Sequence, residues 1–293
     1  MKHDDERWHF HEGDAITPEL TAMRLLGGGS AYEAYLAFDE ITYAPVVVKV
    51  VRPNELHDEA TLRGLEREVA ALDQVNHPVV VRRLRHELEG ERPHVVLEHI
   101  DGPRLSSLIR RYGPLQPQQY LPLALDIASA LHYFRHVDVV HLDIKPSNII
   151  MGAPARLIDL SVARPAHRAA ELTGTIGTDF YMSPEQCDPT GARTPGYASD
   201  VWGIGATLFE AVAGFRAFDE GDRDSEDPSL RFPQLVEKPH ELPAKVPADV
   251  AKTIYACLEP DPAARPEPHE LAAALEPAMA AQPAPQLTFK VKR

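Results

Sequence analysis

Five valines flank a single lysine in Val46-Val47-Val48-Lys49-Val50-Val51, and this run constrains the fold more tightly than any other stretch of the chain. β-Branched residues in unbroken series, after a break at Ala44-Pro45, predict a buried strand. An unpaired buried ammonium is too costly, so the fold must bring a carboxylate or a phosphate to Lys49 from elsewhere. One source follows closely. Residues 58–74 place Leu62, Leu65, Val69 and Leu72 at helical spacing, and Glu68 lies on the edge of that apolar face. Glu68 is the preferred partner; Glu66, on the opposite edge, is the alternative.

At 293 residues the chain is long enough for one large domain or two lobes with separate cores. Its 44% hydrophobic and 25% charged residues are those of a soluble globular protein. No apolar run approaches the roughly 20 residues of a membrane helix. The start, Met1-Lys2-His3-Asp4-Asp5-Glu6-Arg7, has no apolar h-region, so no secretory signal is expected. Two cysteines, Cys187 and Cys257, exclude a disulfide framework and point to the reducing cytoplasm. A net charge of -14 argues against nucleic-acid binding, which needs clustered Lys and Arg. Of fourteen histidines, His132 and His136 lie four apart on a predicted helix, but no third ligand is near in sequence. They are expected to have packing or surface roles rather than to bind a metal.

The octapeptide His141-Leu142-Asp143-Ile144-Lys145-Pro146-Ser147-Asn148 follows an amphipathic run (120–134) and a short apolar step (137–140), which predicts a loop between a helix and a strand. It sets an acid, a cation and an amide on one short arc. Phosphoryl transfer needs those groups: a carboxylate to accept a hydroxyl proton, a Lys near the moving phosphate, and an Asn oxygen for Mg²⁺. The spacing resembles the catalytic loop of protein kinases, H-R-D-L-x-x-x-N, with Leu142 in place of Arg.

Other segments resemble kinase motifs in the same order. Residues 23–36 read as a hairpin around Gly27-Gly28-Gly29, whose missing Cβ atoms let backbone N–H groups approach an anion. It resembles the Gly-rich loop G-x-G-x-x-G-x-V, with Gly27 and Gly29 in the first two places, Tyr32 for the third Gly and Ala34 for Val. Lys49 resembles the Lys of V-A-I-K, which holds the α and β phosphates; Val47 stands where that motif has Ala. Both places cover adenine in that family, so small Ala34 and larger Val47 are expected to exchange volume and preserve an adenine slot. The helix over 58–74 resembles helix αC, and strands at 79–84 and 95–97 are expected to complete a small antiparallel sheet. Leu97-Glu98-His99-Ile100-Asp101-Gly102 resembles the hinge, with Leu97 as gatekeeper and backbone groups of Glu98 and Ile100 for adenine.

Past the octapeptide, short strands at 149–151 and 156–158 around Gly152 deliver Asp159-Leu160-Ser161, which resembles D-F-G. Asp159 is placed to share a metal ion with Asn148. Leu160 is expected to fill an apolar slot against His141 and Leu72, and Ser161 to restrict the backbone that Gly would leave free. Thr173, Thr175 and Thr178 precede Ser183-Pro184-Glu185, which resembles A-P-E, and the resemblance pairs Glu185 with Arg265. Asp200 is expected to cap a strongly apolar helix, and the resemblance also ties it to the catalytic-loop backbone. The acidic run 219–227 is expected as a solvated loop. Helices are expected at 105–112, 120–134, 248–258 and 269–276.

The resemblance covers roughly residues 20–276 and implies an α+β, bilobal protein kinase fold: a small, mainly antiparallel β N-lobe with an αC helix, and a larger, mainly helical C-lobe. The expected divisions are an N-terminal extension (1–20) with Trp8 and Phe10 as anchors, an N-lobe (21–98), a C-lobe (99–276) and a flexible tail (277–293). Lys145, two places after Asp143, and Thr178 resemble the serine/threonine class, and the whole resembles its bacterial, eukaryotic-like (Hanks-type) branch. The implied activity is transfer of the ATP γ-phosphoryl group, with Mg²⁺ (Mn²⁺ as the alternative), to Ser or Thr of a protein substrate, this chain included. Lys49 and Glu68 would orient ATP, Asn148 and Asp159 hold the metal, Asp143 accept the proton, and Lys145 neutralise the γ-phosphate. Thr178 would hold Asp143 and Lys145. Without Arg at 142, the electrostatic reason for switching by activation-loop phosphorylation is absent. The alternatives are a pseudokinase scaffold and a small-molecule phosphotransferase of similar fold.

Overall fold

The computed structural model describes residues 6–283. Strands β1 (Ala15–Thr17), β2 (Leu20–Gly28), β3 (Tyr32–Asp39) and β4 (Ala44–Val51) are followed by helix α1 (Glu59–Gln74), then β5 (Arg83–Glu87) and β6 (His94–Glu98). They form one antiparallel sheet in the order β1-β2-β3-β4-β6-β5. Side chains alternate across it. Val46, Val48, Val50, Tyr35, Ala37 and Val96 build a core on the outer face with Ile16, Leu20 and Ala22. The opposite face carries Ala34 beside Lys49 and Val47 beside Leu97.

The N-terminal segment covers the outer core. Trp8 stacks on Phe10 at 5.6 Å, and Phe10 meets Tyr35 edge-on at 5.4 Å. The Trp8 indole donates to Val51 O at 2.8 Å and its backbone N–H to Glu33 Oε2 at 3.1 Å. The expected anchors therefore grip the sheet of their own chain.

Asp58 caps α1 by accepting from Thr61 N, which starts the helix one residue after the expected position. Leu65, Val69 and Leu72 are buried, and Glu68 is fully buried among them, whereas Glu66 is exposed. The strand expected at 79–84 forms at Arg83–Glu87 instead. Val79 and Val81 are drawn off by single backbone bonds with Leu157, at 2.6 and 2.9 Å, and sit in the main core. An apolar run of that length suits a strand or a buried crossing equally well.

The rest of the chain is mostly helical: α2 (Leu105–Tyr112), α3 (Pro117–His136), the hairpin β7 (Ile149–Ile150) and β8 (Arg156–Leu157), α4 (Ala166–Ala170), α5 (Pro184–Cys187), α6 (Tyr197–Ala213), α7 (Pro228–Arg231), α8 (Ala248–Cys257) and α9 (Pro268–Ala280). α3 is longer than expected because Pro117 suits a first helical turn. α9 runs four residues past the expected end, with Pro277 inside it; the tail over 284–293 lies outside the described residues. In α6 every residue but Tyr197, Ala198 and Glu210 is buried, as befits a helix apolar on all sides. Two glycines permit its close contacts. A Cβ on Gly203 would stand 2.9 Å from Ile144 Cβ, and one on Gly205 2.6 Å from Cys257 Cβ.

α5 is tied to the distal helices by a buried ion pair: Arg265 Nη1 and Nη2 donate to Glu185 Oε1 and Oε2 at 2.7 and 2.8 Å, and Ser199 Oγ adds a bond to Oε1 at 2.7 Å. Arg265→Met strands a buried carboxylate and is expected to lower the unfolding free energy by about 3–5 kcal/mol in a urea titration. Arg193→Met, at a half-exposed pair separated by 3.9 Å, should change it by less than about 1 kcal/mol.

Candidate active site

Lys49 stands on the inner sheet face, and two carboxylates reach it. Its Nζ donates to Glu68 Oε2 at 2.7 Å and to Asp159 Oδ1 at 3.2 Å. Burial works against the ammonium, but Glu68 and Asp159 outweigh it and raise the lysine pKa. Burial likewise opposes the charge of Asp159, yet Lys49 and the Ser161 groups hold its carboxyl well below the usual range. Asp159 adopts φ +69°, a left-handed conformation that Asp tolerates better than most residues, and Leu160 beside it is fully buried in the core. Among the described residues, Glu68 Oε1 has no hydrogen-bond partner.

The octapeptide brings the other candidates together. Lys145 Nζ lies 2.6 Å from Asp143 Oδ2 and donates to Thr178 Oγ1 at 2.6 Å, while Thr178 Oγ1 donates to Asp143 Oδ1 at 2.8 Å. Asn148 Nδ2 donates to Asp143 O and Oδ2, both at 3.1 Å, which fixes the amide and leaves its Oδ1 for another ligand. His141 Nδ1 accepts the Asp143 N–H at 3.2 Å, and burial pushes this imidazole down to about 4.

Asp200 was expected to cap α6 and to tie down the 141–148 backbone; it does only the second. Its two oxygens accept the N–H groups of His141 and Leu142, each at 2.7 Å, and the helix start is closed instead by Ser199 Oγ, which accepts from Gly196 N. The deeper loop competes successfully for the carboxylate because its N–H groups have no helical partner. Burial pushes Asp200 up to about 7, against those two bonds.

Leu142 is buried at φ +65° in a small cluster with Val140 and Ala169, against which Val162, Ala166, Leu172, Ile176 and Tyr197 pack. Gln186, not singled out from the sequence, bridges it: Nε2 donates to Leu142 O at 2.8 Å and to Ile176 O at 2.9 Å. Gly177 has φ +119°, and a Cβ there would meet Leu142 O at 2.8 Å.

Leu97 is buried at the end of β6. The Glu98 N–H donates to Arg82 O at 3.0 Å, and its side chain accepts from Arg82 N at 2.9 Å and from Arg156. Ile100 is half-buried. Gly27 and Gly28 fall within β2, paired with Ala34 and Glu33, and Gly29 begins the connection to β3. Tyr32 bends over the lysine, its ring centroid 4.8 Å from Lys49 Nζ, and its hydroxyl donates to Thr61 O in α1 at 2.6 Å. A single aromatic in place of a glycine gives no sequence signal of such a contact.

The donors suit a hard divalent cation held jointly with phosphate oxygens: the Asn148 amide oxygen and an ionised Asp159. Among the described residues no group of three or more His, Cys, Asp and Glu could hold a metal ion alone. His269 does join His132 and His136, with ring centroids 5.9 and 4.8 Å from His132. None of the candidate residues lines the cavities of about 450 Å³ (α3 and α9) and 860 Å³ (beside Trp202 and Tyr255). Among the described residues no helix is long and apolar enough to cross a membrane.

A family model described as a protein kinase domain matches residues 20–274. The serine/threonine-protein kinase PknB of Mycobacterium leprae is 33% identical over 201 residues, 65% of this chain and 32% of the relative. PrkC of Bacillus subtilis, also a serine/threonine-protein kinase, is 31% identical over 212 residues, 71% and 32% of the two chains. The probable serine/threonine-protein kinase PkwA of Thermomonospora curvata is 34% identical over 253 residues, 85% and 33%. The chain spans about a third of the length of these curated relatives.

His141 gives a pH prediction. Its folded pKa lies below the ordinary value, so its stabilising contribution is complete above pH 6.5 and is lost as pH falls toward 4. Asp200 has the opposite sign, its raised pKa favouring the fold as pH falls from about 7. The contrast with His141→Phe isolates the imidazole. The unfolding free energy of the wild type relative to that variant is expected to fall by about 2 kcal/mol between pH 6.5 and 5, read from denaturant titrations at each pH.

Proposed function

The chain belongs to the protein kinase domain family, with its bilobal fold, and from that premise we propose that it transfers the γ-phosphoryl group of ATP to Ser or Thr hydroxyls of protein substrates. The observation that carries this reading is Lys49 Nζ within hydrogen-bond reach of both Glu68 and Asp159, with Asp143 held among Lys145, Thr178 and Asn148. In the proposed reaction Lys49, steadied by Glu68, binds the α and β phosphates. Asn148 and Asp159 hold a divalent cation, Mg²⁺ or alternatively Mn²⁺, which when bound neutralises charge on the phosphoryl oxygens. Asp143 accepts the proton of the acceptor hydroxyl as that oxygen bonds to the γ phosphorus and the bond to the β-phosphate oxygen breaks. Lys145 stabilises the charge on the transferred group, and Thr178 keeps Lys145 and Asp143 together. Most of the acceleration would come from positioning and electrostatics.

The adenine slot of this proposal lies between Ala34, Val47 and Leu97, with backbone groups of Glu98 and Ile100 at its edge and Gly27, Gly28 and Gly29 over the phosphates. Its lobes divide at residues 98 and 99. Cytoplasmic action, where ATP is abundant, accords with the two buried free thiols Cys187 and Cys257. A pseudokinase reading, raised by Tyr32, Leu142 and Ser161, is disfavoured by the ion pairs at Lys49; a small-molecule phosphotransferase is disfavoured by the Glu185–Arg265 anchor that follows Ser183-Pro184.

Radiolabelled ATP, offered with Mg²⁺ and with Mn²⁺ to a basic protein and to the enzyme itself, tests the reading. Phosphorylation of Ser or Thr is expected for wild type, with a loss of at least about a hundredfold in Asp143→Asn, the usual scale of a lost proton acceptor. No transfer by wild type under either ion would refute it.

Regulation is part of the proposal. With Leu142 in an apolar cluster, the activation segment is fastened by packing and by Gln186, and position 142 brings no positive charge for a phosphate to neutralise. The competing route would run through Arg164, where burial and the neighbouring Arg67 disfavour the positive charge and a phosphate would relieve both. Replacing the exposed Thr173 and Thr175 together by Ala is expected to leave the initial rate of unphosphorylated enzyme within about threefold of wild type, less than 1 kcal/mol of barrier. A hundredfold loss would establish the phosphate-dependent route.

A further inference from the structure

We propose that Tyr32 is a positioning residue that latches α1 to the glycine hairpin and so keeps Glu68 against Lys49. The inference rests on the phosphoryl-transfer reading of the site and adds a residue to it. Tyr32 opens β3, and its hydroxyl crosses to the first turn of α1, where it donates to Thr61 O at 2.6 Å. Thr61 is itself fixed on both sides, its N–H by Asp58 at 2.7 Å and its hydroxyl by Glu55 at 2.9 Å. The latch thus engages a turn that is already rigid.

The rest of the geometry follows one stripe of the helix. Thr61, Gly64, Leu65 and Glu68 are the buried positions of its first ten residues, at spacings of three and four, so a contact at Thr61 sets the rotation and depth at which Glu68 meets the sheet. Gly64 is the place where the phenol fits. A Cβ there would stand 2.7 Å from the Tyr32 hydroxyl oxygen and about a contact distance, 4.0 Å, from its ring carbon. The same ring lies 4.8 Å from Lys49 Nζ, where its electron-rich face stabilises the ammonium. One side chain therefore touches both ends of the lysine's environment. Burial pushes the phenol up to about 12, which keeps the hydroxyl a donor at any working pH.

Three variants test the latch, each assayed for kcat and KM for ATP with a protein acceptor and for amide exchange over residues 61–68. Tyr32→Phe keeps the ring and removes the bond; it is expected to lower kcat/KM between about two- and tenfold, the range of one hydrogen bond, and to speed exchange in this stretch. Gly64→Ala favours helix by itself, since alanine suits a helix interior better than glycine. It is nevertheless expected to lower kcat/KM by about tenfold, because its methyl displaces the hydroxyl. In Tyr32→Phe/Gly64→Ala the clash is gone, and the double variant should be no worse than Tyr32→Phe alone. The latch is overturned if Tyr32→Phe changes neither rate nor exchange, or if Gly64→Ala has the same effect in both backgrounds. Should wild type transfer no phosphate at all, the exchange data still decide for or against the latch, and the failure belongs to the catalytic reading.

Discussion

A single ammonium group, held away from water, organises this molecule. Lys49 needs negative partners where the dielectric is low, and the chain supplies two from separate segments: Glu68 from α1 and Asp159 from the turn after β8. Glu68, fully buried, would not be tolerated at that depth without the lysine, and the lysine would not be tolerated without its carboxylates. The sheet, the helix packed on it and the loop below are thus joined by charge as well as by packing. Three charges of net -1 leave the site receptive to a cation, and with a divalent ion added it becomes receptive to phosphate.

Below that junction the same device recurs in another form. The octapeptide loop has backbone N–H groups at His141 and Leu142 that no strand or helix satisfies, and Asp200 takes both. Because α6 is buried along almost its whole length, the carboxylate it presents is as immobile as the core. Leu142 can then hold a left-handed backbone conformation, and Asp143 projects at a fixed place among Lys145, Thr178 and Asn148. Rigid helix, suspended loop and preoriented acid form one mechanical sequence.

Much of this was legible in the residues. The valine run demanded a partner for Lys49, the periodicity of α1 offered Glu68 and Glu66 on its two edges with the family resemblance favouring Glu68, and the order of short motifs carried the Glu185–Arg265 pair. What escaped was local competition for partners. Val79 and Val81 look like strand residues but are claimed by one residue, Leu157, across the core. Of the two roles expected of Asp200, the tie to the loop is formed, and the cap on α6 fails because the loop's unsatisfied amides take both oxygens. Gln186 carries no pattern at all, since its value lies in two carbonyls, Leu142 O and Ile176 O, that only the folded chain brings together. Trp8 and Phe10 announced that they would bury themselves but not on which face.

The departures from the family's motifs share a physical direction. Tyr32 stands for a glycine and adds a ring over Lys49 and a hydroxyl bond to α1. Leu142 stands for an arginine and adds an apolar cluster in place of a buried charge. Ser161 stands for a glycine and donates its N–H to Asp159 at 3.3 Å while narrowing its own backbone freedom. Each exchange removes either conformational freedom or an unpaired charge, and those are the two properties by which a segment is switched between states. Fewer alternative states for the hairpin, the loop over 141–148 and the turn at Asp159 would leave less ordering for a ligand or a phosphate to accomplish. On the proposed reading, the site is largely assembled before ligand or phosphate arrives.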